Sequence, residues 1–388
     1  MKLTTATETI TDLSAIRHYF HQHPELSSQE YQTTALIKAY LADLGYTIIT
    51  PKALQTGVIA EIGPENAQHT VALRADIDAL PIQEQTNLDF ASENAGTMHA
   101  CGHDFHLTSL LGAAEKIKEN ADKLTVKVRL IFQPAEETHV GAEQVIASGG
   151  LEGVDVIVGY HNHPNLPVGQ ISVGNGGRNA AVDQFSVKLT GVGGHAAKPH
   201  ENIDPILALA STVTALQSIV SRSLNPYRQS VLSVTHIEGG QTWNVIPDST
   251  WFEGTIRTFG DHDRARAKEQ FYQIINGQAA AYGISAEIEW IPGPPVLEND
   301  PILTDILAEN IQYHADLVNF PPSAGGEDFA FYTSKVPSVF AEIGSGGNSG
   351  LHHSDLILDD AGLETAITWY YQSVLRLQDY FAEKGEEA

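Results

Sequence analysis

The stretch Val126-Lys127-Val128-Arg129-Leu130-Ile131-Phe132-Gln133-Pro134-Ala135-Glu136-Glu137 decides how this chain is read. Apolar residues alternate with Lys127 and Arg129, as in a strand, and the segment runs into a polar end that carries two carboxylates. Three other segments share this form. The run at 71–75 leads into Asp76 and Asp78, the run at 154–159 ends at Tyr160-His161, and the run at 338–343 ends in a glycine loop leading to His352. A helical pattern at 13–44, interrupted at His23-Pro24, precedes them, and after it short apolar runs and helical patterns alternate. Strands alternating with helices define an α/β chain, and open α/β sheets bind ligands at the carboxyl ends of their strands. Four strands therefore aim polar ends at one prospective site.

The middle of the chain has another rhythm. Strand 185–190, helix 204–222, strands 230–237 and 249–258, helix 262–282 and strand 286–290 give the β-α-β-β-α-β order of a ferredoxin-like unit. Glycines at 174–177 and prolines at 292–295 bracket it. The expectation is a catalytic domain in two segments, 1–179 and 293–388, with a mixed, largely parallel sheet flanked by helices, interrupted by an inserted ferredoxin-like α+β domain at 180–292.

Length and charge narrow the function. The 388 residues are enough for two to three domains. Lys and Arg number 22 against 48 Asp and Glu, a formal charge of −26 that repels phosphate backbones and anionic lipid. Neither nucleic acid nor membrane is expected as a partner. The lone cysteine, Cys101, excludes a disulfide scaffold. The first twelve residues hold no apolar leader and nowhere do 18 apolar residues run together, so the expected location is the cytoplasm.

The chemistry concentrates in Met98-His99-Ala100-Cys101-Gly102-His103-Asp104-Phe105-His106, just before a helix whose apolar face is Leu107, Leu110, Leu111, Ala114 and Ile117. Read singly, Cys101 would be a small buried hydrophobe, Asp104 a helix cap and the histidines loop polars. Together, a thiolate and an imidazole two residues apart are a ligand pair for zinc or a late first-row metal. One cysteine cannot close a structural zinc site, so an open, catalytic site fits better. Its other ligands must come from Glu136, Glu137, His161, His163, His352 and His353, and spacing does not choose within the histidine pairs. On an extended strand end Glu136 and Glu137 would point to opposite sides, one toward metal and one toward the cleft as a general base; otherwise they are a solvated pair opening a helix. A Cys101–His103 nucleophile pair is the competing mechanism, but it leaves Glu136, Glu137 and His352 without duties.

At these residues the chain closely resembles the amidohydrolase branch of the dinuclear metallopeptidase and aminoacylase family, which includes hippurate hydrolase and auxin-conjugate hydrolases. The resemblance runs through His21-Gln22-His23-Pro24-Glu25-Leu26-Ser27, the stretch from Arg74 to Pro81, the cysteine motif, Gln133 to Glu137, Gly191 to His200, Gly325-Gly326-Glu327-Asp328-Phe329 and Leu351-His352. It implies two divalent ions per subunit, Mn or Zn foremost and Co or Ni next. Cys101 would bridge them, with Glu137 and His352 completing one and His103 and His161 the other. His163 and His353 would be neighbours only. Asp76 stands where peptidase relatives carry a metal-binding His, and Cys101 where they carry a bridging Asp. Asp78 would orient the metal shell, Glu136 would be the base and His195 would polarise the scissile carbonyl. Asn244, Arg257 and Gly326 would meet the substrate, and the inserted domain would serve as lid and as the contact of a homodimer. The expected reaction is hydrolysis of N-acyl amino acids; a dipeptidase or carboxypeptidase on the same metals, or a silent metal- or amino-acid-binding protein, are the alternatives.

Overall fold

In the computed structural model, which describes residues 2–5 and 9–387, Thr70–Asp76 and Lys127–Gln133 lie side by side as parallel strands. Residues 1 and 6–8, part of the stretch read for a leader, lie outside the described residues. Asp12 caps α1 (Leu13–Gln22) through the amide of Ala15, and the His23-Pro24 break separates it from α2 (Tyr31–Asp43). Then come β1 (Thr47–Ile48), β2 (Val58–Ile62), β3 (Thr70–Asp76), α3 (His103–Glu119), β4 (Lys127–Gln133), β5 (Val156–His163), β6 (Gln170–Ser172), α4 (Pro301–Ile311), β7 (Asp316–Leu317), β8 (Ser338–Gly344) and α5 (Leu363–Glu387). A short helix at Gly141–Ala147 follows β4.

The eight strands form one sheet in the order β7-β6-β8-β5-β3-β4-β2-β1. Its centre, β8-β5-β3-β4, is parallel, and antiparallel pairings attach β6 on one side and β2 and β1 on the other. Parallel strands must be covered on both faces, which is why β3 is buried along its whole length. The five apolar positions expected on α3 are all fully buried. α5 packs on α3, and its Trp369 indole donates to the carbonyl of Gly159 in β5 at 3.2 Å.

Two local expectations are corrected. α3 begins at His103, so His103, Asp104 and His106 occupy its first turn, while Cys101 precedes it. Asp104 does not cap it; Gly102 holds the cap position, and the Asp104 carboxylate pairs with Arg17 and His21 of α1, both at 3.0 Å.

This unit comprises residues 1–178, 298–321 and 331–388; the second comprises 179–297 and 322–330. The second has a four-stranded antiparallel sheet ordered Ser230–Gly239, Ser249–Thr258, Ala181–Thr190, Ser285–Pro292. Helices Pro205–Leu216 and Asp261–Tyr282 cover it around Phe185, Phe252, Phe271 and Ile275. The helix expected over 204–222 ends at Leu216, and a π turn at Ile219–Ser223 extends it. By length and composition the stretch Pro205–Ser223 could cross a membrane, with a mean hydropathy of 1.2 and 28% of it buried. Leu209, Leu216 and Ile219 bury against the sheet, whereas Ile206 and Leu207 are exposed.

Candidate metal centre

Six groups from three strand ends and one helix start meet beyond the carboxyl edge of the central sheet. Cys101 and His103 straddle Gly102, whose φ of +85° lies in the left-handed region. A Cβ there would sit 2.6 Å from Asn162 Oδ1, so only glycine lets the chain turn this tightly against β5. His161 projects from β5. His352 follows the glycine loop after β8 and adopts a φ of +65°, held by its amide bond to the carbonyl of Ala100 at 2.7 Å. Non-glycine residues in that region are uncommon and concentrate where surrounding structure over-determines them.

Glu136 and Glu137 arrive differently from the expectation. β4 ends at Gln133, and Ala135, buried, has a φ of +54°, so the pair sits on a left-handed turn and not on an extended strand. Neither is a solvated charge opening a helix, since Glu136 is 5% exposed and the next helix starts only at Gly141.

The donor atoms form two overlapping trios. Cys101, His103 and His161 have one donor atom each within 4.8 Å of one another, and so do Cys101, Glu137 and His352. The Cys101 Sγ lies 3.4 Å from His161 Nε2 and 3.3 Å from His352 Nε2. His103 Nε2 is 3.8 Å from Glu137 Oε1, and His352 Nε2 is 3.6 Å from Glu137 Oε2. The far side of each imidazole is fixed by backbone: His103 Nδ1 meets the Asp78 carbonyl at 2.9 Å, and His161 Nδ1 meets the Asn162 carbonyl at 2.8 Å. Those carbonyls can only accept, so each ring carries its proton on Nδ1 and turns Nε2 inward. Asp78 also accepts from the Glu137 amide at 3.0 Å and from the Ser27 hydroxyl at 2.7 Å.

Electrostatics describe a site built for cations. Burial, then the Glu137 carboxylate, pushes the Cys101 thiol well above its usual range. That disfavours a free nucleophilic thiolate, which needs a lowered pKa. Burial also pushes Glu137 up, to about 7. Burial lowers His161 and His352, keeping their imidazoles neutral. His103 goes the other way: burial opposes its charge, but Asp76 and Cys101 raise it well above the ordinary value. Among the described residues, His103 Nε2 and Glu137 Oε1 are buried without a hydrogen-bond partner. A buried donor or acceptor left unmade is unfavourable by about 1–3 kcal/mol. Divalent cations would satisfy both atoms, and a sulfur, imidazole and carboxylate set suits late first-row ions rather than Mg or Ca.

Two residues near this cluster carry duties that spacing did not reveal. His106 belongs to the cysteine motif, where spacing assigned it no role; its Nδ1 donates to Asp76 Oδ1 at 2.5 Å and its Nε2 accepts from the Asn162 amide at 2.9 Å. Both nitrogens are thus engaged within the protein. Asp76, also paired with Arg74 at 2.6 Å, anchors that strut. His163 packs its ring on Phe320 and His353 is exposed.

The remaining sequence candidates belong to the second unit. His195 is exposed in a two-residue strand pairing with Val245–Ile246, and the Asn244 carbonyl accepts from the Ala196 amide at 3.1 Å, so that His195 and Asn244 are neighbours. Arg257 is half-buried on the strand Ser249–Thr258, opposite Val182 and Val231, and burial lowers its pKa. Gly326 is half-buried and precedes the buried Glu327 and Asp328.

A largely parallel sheet with a thiol, imidazole and carboxylate cluster at its carboxyl edge is the ground plan of a metal-type hydrolase. The chain belongs to peptidase family M20/M25/M40, whose model matches residues 72–376. It is 45% identical over 368 residues to an N-acetyl-L-cysteine deacetylase of Bacillus subtilis, covering 95% of this chain and 88% of that one. A second Bacillus subtilis relative, an N-acetylcysteine deacetylase, is 44% identical over 93% of this chain and 95% of its own. Among solved structures it is similar to a dinuclear metal-binding peptidase of the M20 family from Bacillus subtilis, with a TM-score of 0.85 and 40% identity over 95% of this chain and 98% of that one.

Proposed function

We propose that the chain is a metal-dependent amidohydrolase that cleaves the amide of N-acyl amino acids to a carboxylic acid and a free amino acid. The convergence of His103, His161, His352 and Glu137 on the Cys101 sulfur, with buried donor atoms left unpaired, carries this reading. Cys101, Glu137 and His352 would hold one divalent ion, and Cys101, His103 and His161 a second, Mn or Zn foremost. Bound there, the two ions would supply Lewis acidity and lower the pKa of a water molecule.

The chain's own residues do the rest. Asp78 holds the His103 ring and the Glu137 backbone in register. Glu136, buried and on its own turn, takes the proton of the attacking water and returns it to the leaving amine. His195 polarises the scissile carbonyl as negative charge develops on its oxygen. Asn244 and Gly326 line the substrate, and the Arg257 guanidinium matches the free carboxylate of an amino-acid product. The ferredoxin-like insertion at 180–292 acts as a lid and as the homodimer contact, and the enzyme works in the cytoplasm. Acyl amino acids with small acyl groups are favoured because the two Bacillus subtilis deacetylases bear N-acetylcysteine in their names.

The test is amine release from N-acetyl, N-benzoyl and longer N-acyl amino acids beside dipeptides, after chelation and again with Mn or Zn restored. Metal-restored cleavage of acyl amino acids is expected; cleavage of dipeptides alone, or of nothing, overturns the reading.

A further inference from the structure

Glu30 is a fully buried carboxyl that neither the metal cluster nor the reaction uses. It occupies the N-cap of α2, where a side chain ordinarily accepts from the first amides of its own helix, yet it makes no such bond. Glu25 does that work instead, its two oxygens accepting from the amides of Gln32 and Thr33 at 3.1 and 2.8 Å. Glu30 is thereby released to reach across 105 positions of sequence, where its Oε1 accepts from the amide of Ala135 at 2.8 Å and from that of Ser28 at 2.9 Å.

Ala135 is the left-handed residue that turns the chain out of β4 and immediately precedes Glu136. Its carbonyl accepts from Gly141 at 3.2 Å and that of Glu136 from His139 at 2.7 Å, while Asp78 holds the Glu137 amide. The turn after β4 is thus gripped on both sides of Glu136. One turn further along α2, Thr34 Oγ1 accepts from the Gly57 amide at 2.8 Å, and a Cβ on Gly57 would meet Pro134 Cδ at 2.7 Å. α2 therefore seats both the start of β2 and the turn that carries Glu136.

We infer that Glu30 is a positioning residue for the reaction: its bond to the Ala135 amide maintains the left-handed turn that aims the Glu136 carboxylate. This rests on Glu136 being the base. The left-handed region is disfavoured for alanine and nearly free for glycine, so a glycine at 135 should hold the turn with less help.

The experiment compares the metal-loaded wild type with Glu30→Ser, Glu30→Gln, Ala135→Gly and the Glu30→Ser/Ala135→Gly double variant. Serine is well suited to the N-cap position of α2 but is too short to reach Ala135; glutamine keeps the acceptor. Glu30→Ser is expected to lose about 100-fold in kcat, the scale of a misplaced catalytic group, with KM within threefold and two ions still bound. Glu30→Gln should lose less than tenfold, and adding Ala135→Gly to Glu30→Ser should recover at least fivefold of kcat. A folded, metal-replete Glu30→Ser enzyme with kcat near wild type, or no recovery from Ala135→Gly, overturns the inference. If Glu30→Ser does not fold, hydrogen exchange of the 133–139 segment in Glu30→Asp, one methylene too short, decides: the Ala135 amide should be protected in wild type and exchange faster in Glu30→Asp, and equal rates overturn it. Glu136→Gln runs in parallel. Its full activity would remove the base assignment itself, whereas an inactive Glu136→Gln beside an active Glu30→Ser removes only the role of Glu30.

Discussion

Asp78 and His103 are joined twice, through the Asp78 carbonyl at 2.9 Å and its carboxylate at 3.2 Å, both on the same ring nitrogen. That leaves one orientation for the imidazole and one nitrogen free to bind. The other Asp78 oxygen holds the backbone of Glu137, so a single side chain orients candidate ligands from α3 and from the turn after β4.

Replacing Asp78 with Ala should therefore weaken divalent-metal affinity by about 10–100-fold, the usual effect of losing a group that orients a ligand. Metal titration by calorimetry, with circular dichroism showing an intact fold, checks it. Unchanged affinity would mean that His103 is oriented by its backbone bond alone.

Gly102→Ala joins two faults: a left-handed residue gains a side chain, and that side chain meets Asn162 and Leu358 at 2.6 and 2.8 Å. The backbone strain alone is about 1–2 kcal/mol. Purified Gly102→Ala protein should melt several degrees lower and carry less than one ion per chain, since relieving the contact moves Cys101 away from His161.

Stripping the metals should lower the thermal midpoint. Binding to the folded chain alone adds about 2.7 kcal/mol when the ion is at a hundred times its dissociation constant. Calorimetry before and after chelation measures the loss, which re-addition of Mn or Zn should reverse; identical midpoints would contradict the ligand set.

His21 gives stability a pH dependence. Burial alone would lower its pKa, but Asp104 and then Glu84 outweigh burial and hold it at about 9, above the ordinary 6.5. A raised folded pKa stabilises fully below the unfolded value and is lost as pH climbs through the folded one. Urea unfolding should thus weaken between pH 6.5 and 9, by up to about 3 kcal/mol from this group. His21→Gln should flatten that slope, and an unchanged slope would assign it elsewhere.

The strand ends were readable because a covered parallel strand has to be apolar until it stops, and the residues just beyond it are polar for a reason. The thiol, imidazole and carboxylate composition of the site was readable too, since those residue types rarely crowd by chance. The shape of the Glu136-Glu137 turn was not. Extended geometry was the natural continuation of β4, and nothing in Pro134-Ala135-Glu136 announces a left-handed alanine, because the group that holds it is Glu30, 105 residues upstream. Asp104 misled for the same reason. Its position at the start of α3 looks like a local cap, and only the fold brings Arg17 and His21 onto it.

The placement of β8 between β5 and β6 sets an order on biosynthesis. When β5 leaves the ribosome, its free edge and the apolar surface around it have no partner until Ser338–Gly344 is made, and His352 is later still. At about 5–20 residues per second that interval lasts roughly 10–30 s. A nascent chain so exposed is a natural client for chaperones, and no fragment that stops before residue 352 can assemble both halves of the cluster around Cys101.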